Sequence, residues 1–468
     1  MQEENIVVIL DFGSSKISLT VADISSGSPE AILFHKQAPA VGINRGQISN
    51  PRNVSQILGK LVAEAQEELG IVIHRAIVNF PRWKVHTKEL SISLDRTSPD
   101  EYINEEELQT LRDMAVSKMI DEMDSSNVIC ATVAKSYSTE ELLNVQEEDI
   151  LGAIGSRICG NFLMFLGPKN AKTNIDKVMN ELKIDVFSYE FTPVIESPFV
   201  LSAEEKMQGV ALIEIGAGIS SVSIYNNGSL RFFKSFPFGG KQVSSDIQME
   251  CNVSQTLAEN IKLAWAYCMP DKLQNMSDKI LKIEDPIGNS TQEVTLKYLS
   301  EVVNCRMKEI LNACFYLIKE SGYDDKLRQG IVLTGGGAQI HCLQSMVSAL
   351  SGLNCRIAYP HYFEEASDCA VEAMLLNASN LKRIMFVSPM QEEQSDQIEQ
   401  TREPNPGELF DEEQMSDGVK HIVKEKPDPK NKKEKGGGLK GFFASITDSV
   451  MTSYQHFGED DNKDNKEK

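Results

Sequence analysis

The chain has 468 residues, 41% of them hydrophobic and 25% charged, and carries a net charge of −21. Its length suits two or more domains with cores of their own. The acidic balance excludes a general nucleic-acid binder, which shows a basic face, and confines any contact with anionic lipid to a local segment.

Met1-Gln2-Glu3-Glu4 is acidic where a secretory signal is basic. Every apolar run stops short of the ~18 residues that a membrane-spanning helix needs. The nine cysteines form no C-x-x-C pair. They read as the reduced, mostly buried thiols of a cytosolic protein.

In chain order, the apolar run 6–10 drives into Asp11-Phe12-Gly13-Ser14-Ser15-Lys16, a buried strand ending in a carboxylate and a tight turn of small residues. Residues 17–22 alternate as a second strand, and 25–29 read as a turn. Residues 54–69 show helical spacing, with apolar side chains at 54, 57, 58, 61, 62, 65 and 69, and stop at Gly70. A strand follows at 76–80. From 82 to 161 the pattern changes to short alternating runs (85–94, 128–136) around a helix at 105–119, which predicts an inserted subdomain. Asn79-Phe80-Pro81-Arg82-Trp83 leads into it, with a rigid turn at Pro81. Residues 162–166 then predict a return to a buried core strand, followed by a helix at 171–182.

The plan repeats from Val210. Residues 210–215 run into Gly216-Ala217-Gly218, with Glu214 in the place of Asp11. Residues 236–310 read as a second, helix-rich insertion. A third strand and turn, 331–334 followed by Gly335-Gly336-Gly337-Ala338, comes next, and 366–376 predict a closing helix. Residues 391–435 are crowded with Glu, Gln, Asp, Pro and Lys and predict disorder. After Gly436-Gly437-Gly438, residues 439–457 place Leu439, Phe442, Phe443, Ile446, Val450, Tyr454 and Phe457 within an arc of about 120°. A lone amphipathic helix behind a tether reads as an interfacial membrane anchor. The competing reading is a helix docked on the chain's own body or on a partner. Its polar face is short of Lys, and Glu459-Asp460-Asp461 follow, so lipid affinity should be modest and sensitive to clustering.

One strand–turn copy alone is an ordinary buried strand. Two facing copies can hold a triphosphate and its metal. Asp11 and Glu214 would hold the water shell of Mg²⁺. Gly13, Ser14, Ser15, Gly216, Ala217 and Gly218 would bring backbone N–H groups to phosphate oxygens, and Lys16 would add a point charge. Gly335, Gly336 and Gly337 would let a base and ribose lie against bare backbone.

These three segments, in this order, resemble the phosphate 1, phosphate 2 and adenosine segments of the actin-like ATPase superfamily. The resemblance implies an α/β fold with an actin-like, ribonuclease H-like duplicated core, and ATP as cofactor with Mg²⁺. Gly42-Ile43-Asn44-Arg45-Gly46-Gln47-Ile48-Ser49-Asn50 looks like the G-I-x-x-G-x-I-x-D segment of the bacterial cell-division family FtsA. Gly239–Ile247 is similar to that family's segment leaving the second core strand pair. Ala258-Glu259-Asn260-Ile261-Lys262 resembles its ribose- and base-reaching helix, which implicates Glu259 and Lys262. Leu299–Arg306 resembles a helix of its 2B subdomain, where an Arg in the place of Arg306 helps bind the FtsZ tail. The competing reading of Arg306 is a solvated helix charge.

By this resemblance the pieces are domain 1A at 1–81 and 162–205, a 1C-type subdomain at 82–161, domain 2A at 206–235 and 311–388, subdomain 2B at 236–310, a linker at 389–438, the anchor at 439–457 and an acidic tail at 458–468. The resemblance implies a peripheral protein on the inner face of the cytoplasmic membrane at the division septum. It would tether FtsZ filaments, polymerise with itself and recruit later division proteins. The second phosphate segment departs from the family's Asp-Ile-Gly-Gly-Gly-Thr pattern. Glu214, the catalytic candidate, is one methylene longer than Asp, Ala217 narrows the backbone approach, and Ser221 replaces a second carboxylate. Small misplacements cost much rate, so weak or undetectable ATPase is expected. The rival readings are a PilM-like scaffold of another inner-membrane machine and a small-molecule kinase of the same superfamily.

Overall fold

The computed structural model describes residues 5–25, 29, 31–285, 290–379 and 385–390. The expected linker, anchor helix and acidic tail lie outside the described residues. Strand β1 (Ile6–Phe12) is buried at every residue except Asp11, as the unbroken apolar run predicts. It pairs antiparallel with β2 (Lys16–Asp23), which pairs with β3 (Ala31–Pro39). On its other edge β1 runs parallel to Arg75–Asn79, itself parallel to Asp185–Glu190. The second half repeats this order and sense. Val210–Ile215 is antiparallel to Ser220–Asn226, which is antiparallel to Ser229–Phe236. Val210–Ile215 is also parallel to Ile331–Thr334, and that strand to Cys355–Ile357. Two five-stranded sheets of one topology make a duplicated core.

Helix α1 (Pro51–Leu69) starts three residues earlier than the apolar spacing predicts, because Asn50 caps it and Pro51 suits its first turn. Gly70, at φ +66°, ends it in the left-handed conformation. Val54, Leu58, Leu61, Val62 and Ala65 form its buried stripe within the first core.

The first insertion is a three-stranded antiparallel sheet of His86–Asp95, Asn127–Ser138 and Arg157–Pro168, covered by the helix Glu105–Glu122. Here the expectation for 162–166 fails. These residues do not join the first sheet but lie in the central strand of the inserted one. Phe162, Met164 and Leu166 face the inserted helix, whereas Leu163 and Phe165 pack with Phe80, Phe191 and Phe233. A strand buried on both faces reads the same whichever sheet holds it.

The second insertion holds the helices Gly240–Cys251 and Gln255–Trp265, the hairpin Ile280–Asp285 and Ser290–Thr295, and the helix Leu296–Glu320. Leu299, Val303, Met307, Ile310, Cys314 and Leu317 line that last helix and share a core with Ile213 and Ile215 of the second sheet. The closing helix Cys369–Ala378 buries Val371, Met374 and Leu375 in the first core, so grouping it with 311–388 gives way to a return to the first half. All nine cysteines are free thiols.

Candidate nucleotide-binding site

Both candidate phosphate turns close the same way. Gly13 N–H donates to the Lys16 carbonyl at 3.0 Å, and Gly216 N–H donates to the Ile219 carbonyl at 2.9 Å. The closure requires glycine in each. A Cβ would stand 2.8 Å from the Lys16 carbonyl oxygen in the first and 2.9 Å from that of Ile219 in the second. Asp11 and Glu214 precede the turns and lie opposite Ser18 and Ser221 in matching hairpin registers.

The two turns meet. A Cβ on Gly218 would lie 2.8 Å from Ser14 Oγ, which accepts from Gly46 N–H at 2.7 Å. Lys241 Nζ donates to the Ser14 carbonyl at 2.5 Å. The N–H groups of Gly240 and Lys241 donate to the carbonyls of Gly216 (2.9 Å) and Ala217 (2.7 Å). The helix Gly240–Cys251 therefore rests its first turn on the second candidate turn. Lys262 pairs with Glu259 at 2.8 Å and donates to the Gly240 carbonyl at 3.3 Å. That places Glu259 and Lys262 beside the same turn. Ser15 is exposed at the tip of the first one.

Lys16 is engaged with residues 365–368, of which the sequence reading places 366–368 at the start of the closing helix without a role in the site; the helix itself begins at Cys369. The Lys16 Nζ donates to Ser367 Oγ at 2.9 Å and pairs with Asp368 at 2.9 Å and Glu365 at 3.3 Å. Gly335 N–H donates to the Ala366 carbonyl at 3.2 Å, so residues 365–368 tie the first turn to the third. In the third turn, Gly335 (φ +84°) and Gly337 are buried against Ile215. A Cβ would meet the Ile215 carbonyl oxygen at 2.7 Å in one case and Ile215 Cγ2 at 2.4 Å in the other. Only Gly336 of the three is exposed, so the bare backbone expected for a base narrows to that residue.

Arg82, passed over in the sequence as part of a turn, reaches the centre of the cleft. Its Nη1 is in ion-pair contact with Glu214 Oε2 but makes no hydrogen bond among the described residues. Its Nη2 lies 4.0 Å from where a Cβ on Gly216 would stand. Glu196, on a short helical turn between the halves, is 1% exposed. Its Oε1 accepts from Thr334 Oγ1 at 2.8 Å, while Oε2 has no hydrogen-bond donor among the described residues. Burial pushes the Glu196 carboxyl up, against the pull of Thr334 and Arg82. Burial likewise pushes Asp11 up to about 6, opposed by Arg82 and Lys16 and reinforced by Asp368. Burial holds the Arg82 guanidinium below its ordinary value, with Glu196 and Asp11 working the other way. One guanidinium thus serves three acidic groups.

Mg²⁺ keeps several waters and needs free carboxylate oxygens. Between Asp11 and Glu214 it meets a guanidinium already paired with Glu214, so these residues do not fit the ion. Four cations, Lys16, Arg82, Lys241 and Lys262, lie around the turns where an anionic phosphate would sit, each already engaged with an internal partner.

Arg306 lies away from the cleft on the helix Leu296–Glu320 and is not a solvated charge. Its Nε and Nη2 donate to the two oxygens of Asp246 at 2.6 and 2.9 Å, and its Nη1 to Glu309 at 2.6 Å. The side chain is 13% exposed. The candidate membrane residues, Leu439 to Phe457, lie outside the described residues.

Residues 211–375 match the family model described as cell division protein FtsA. Curated cell division protein FtsA from Pseudomonas aeruginosa is 26% identical over 368 residues, covering 79% of this chain and 86% of that protein. Its counterpart from Enterococcus hirae is 26% identical over 362 residues, covering 77% and 80%. Among solved structures, a chain of a PilM-PilN type IV pilus biogenesis complex superposes with a TM-score of 0.57 at 12% identity, over 80% of this chain and 99% of that one. That likeness is one of fold: the architecture is actin-like.

Proposed function

Because the chain is a member of the FtsA family of actin-fold proteins, we propose that it works in bacterial cell division as an ATP-binding tether between FtsZ filaments and the cytoplasmic membrane. The observation that carries the nucleotide part is the pair of identically closed turns, with Ser14 packed toward Gly218 and four cations around them. In this reading Gly13, Ser14, Ser15, Gly216, Ala217 and Gly218 face phosphates, Glu259 and Lys262 flank the nucleotide, and Gly336 offers backbone to the base. Glu214 pairs with Arg82 instead of orienting a water, which supports weak or absent ATPase. The acidic FtsZ tail would engage Arg306, and the face from Leu439 to Phe457 would insert at the lipid interface. Self-association into a filament and recruitment of later division proteins belong to the same reading.

Co-sedimentation of FtsZ with liposomes tests it, comparing the full chain with one ending at Lys435. The full chain is expected to carry FtsZ into the pellet and the shorter one to leave it in solution. Equal pelleting would move the membrane site elsewhere. Lipid binding without FtsZ would shift the assignment to a scaffold of another membrane machine, as the PilM-like fold allows.

A further inference from the structure

The segment that carries Arg82 is held from several sides. Phe80 N–H donates to the Glu190 carbonyl at 2.7 Å, just before Pro81. The Arg82 carbonyl accepts from Ser235 Oγ, in the second sheet, at 2.8 Å. The Trp83 carbonyl accepts from Gln47 Nε2 at 3.0 Å, and the Arg45 guanidinium lies over the Trp83 ring at 5.7 Å. Lys84 follows at φ +63°, which turns the chain away into the insertion. The backbone that carries Arg82 is thus held by contacts to both halves, so less ordering is left to be lost on meeting a ligand.

Its surroundings call for a cation. Asp11, Glu196 and Glu214 all lie within its field, and Glu196 Oε2 has no donor among the described residues. Unneutralised, they would repel a phosphate chain strongly in a site screened from water. A guanidinium presents five donors in a planar fork and stays charged. One nitrogen, Nη1, faces Glu214 as an ion pair, and it makes no hydrogen bond among the described residues. Nη2 lies 4.0 Å from where a Cβ on Gly216 would stand, beside the second candidate turn.

We propose that Arg82 takes the place of the divalent cation in this cleft, bridging Glu214 to the nucleotide's phosphates, so that ATP and ADP bind without metal. This rests on the reading of the cleft as a nucleotide site and deepens it. The mismatch between Mg²⁺ and the Asp11–Glu214 pair is then the design of the site: a covalently tethered cation cannot be chelated away.

Calorimetric titration of the full chain with ADP and with ATP, in excess Mg²⁺ and in excess EDTA, tests the proposal. The expected result is that affinity differs by less than about threefold between the two buffers. Arg82→Gln should lose at least about tenfold in EDTA and regain part of it in Mg²⁺, because the freed carboxylates then admit the ion. Arg82→Lys, which keeps the charge but not the fork, should fall between. Binding by the unaltered chain only with Mg²⁺ overturns the proposal and leaves the nucleotide reading standing. No binding of either nucleotide in either buffer overturns the nucleotide reading, and the proposal with it. The buffer comparison uses the unaltered chain, so it stands even where an Arg82 variant fails to fold.

Discussion

Lys241 hands its ammonium to the backbone carbonyl of Ser14, 2.5 Å across the line where the two halves meet. Its own helix starts on the carbonyls of Gly216 and Ala217, so a single residue clasps both candidate phosphate turns. Hydrogen bonds to charged groups contribute roughly 1.5–3 kcal/mol. Lys241→Ala is therefore expected to speed amide exchange at residues 13–16 and 216–219 by about tenfold or more while leaving the sheet interiors protected. Unchanged exchange at both turns would mean that other contacts hold them together.

The Asp11 carboxyl, pushed up to about 6 from 3.8, gives a pH dependence with a definite sign. Below pH 4 it is protonated whether the chain is folded or not, and burial exacts no charge penalty. Between pH 4 and 6 the unfolded chain releases this proton and the folded one keeps it, so this group's contribution to stability falls as pH rises. Above pH 6 the penalty levels off, on the order of 3 kcal/mol. Asp11→Asn should accordingly raise the melting temperature at pH 7.5 and lose that advantage on acidification to pH 4. An advantage that does not change with pH would refute the assignment to Asp11.

The three consecutive glycines of the third turn should respond unequally. Gly337→Ala drives a methyl group to 2.4 Å from Ile215 Cγ2, and Gly335→Ala combines a positive φ with a 2.7 Å approach to the Ile215 carbonyl oxygen. Each is expected to cost about 2 kcal/mol or more in denaturant unfolding. Gly336→Ala meets nothing closer than Ser367 Cβ at 3.6 Å and should be near neutral for folding. It is thus the variant that reports on nucleotide contact. A weaker nucleotide affinity in Gly336→Ala, with unfolding unchanged, would place the base over this residue.

Arg306 and Asp246 form a two-pronged pair with both side chains 13% exposed. Removing the arginine leaves a mostly buried carboxylate alone, so Arg306→Ala should cost about 2 kcal/mol of stability before any peptide is considered. Asp246→Asn is the cleaner test. If Arg306 receives the acidic FtsZ tail, releasing the fork from its internal partner should tighten peptide binding several-fold. Weaker or equal binding by Asp246→Asn would rule Arg306 out as the receiver.

The parts of this molecule written into local pattern were legible from sequence. The run 6–10, the turn at Gly13, helix α1 with its Gly70 stop and the repeat from Val210 each follow from burial period and backbone sterics over a few neighbouring residues. What escaped depends on partners far along the chain. Arg82 looks like any charge after a proline until Glu214 and Ser235, more than a hundred residues later, are brought to it. The grip of Ser367 and Asp368 on Lys16 spans 351 and 352 residues. Residues 162–166 were misplaced because an apolar strand carries no label for the sheet it enters. The glycine run was legible as a tight turn, but which glycine faces solvent is decided by Ile215.

The inserted sheet's central strand, Arg157–Pro168, has Phe162 and Met164 on one side and Leu163 and Phe165 on the other. The second pair packs with Phe191, which directly precedes the turn carrying Glu196, and with Phe233 of the second sheet. The insertion is therefore no removable cassette. Excising it would strip the roof from the core beneath the cleft, and any torque applied to it by a neighbouring molecule is delivered, through a strand that cannot roll one face without the other, to the joint between the two halves.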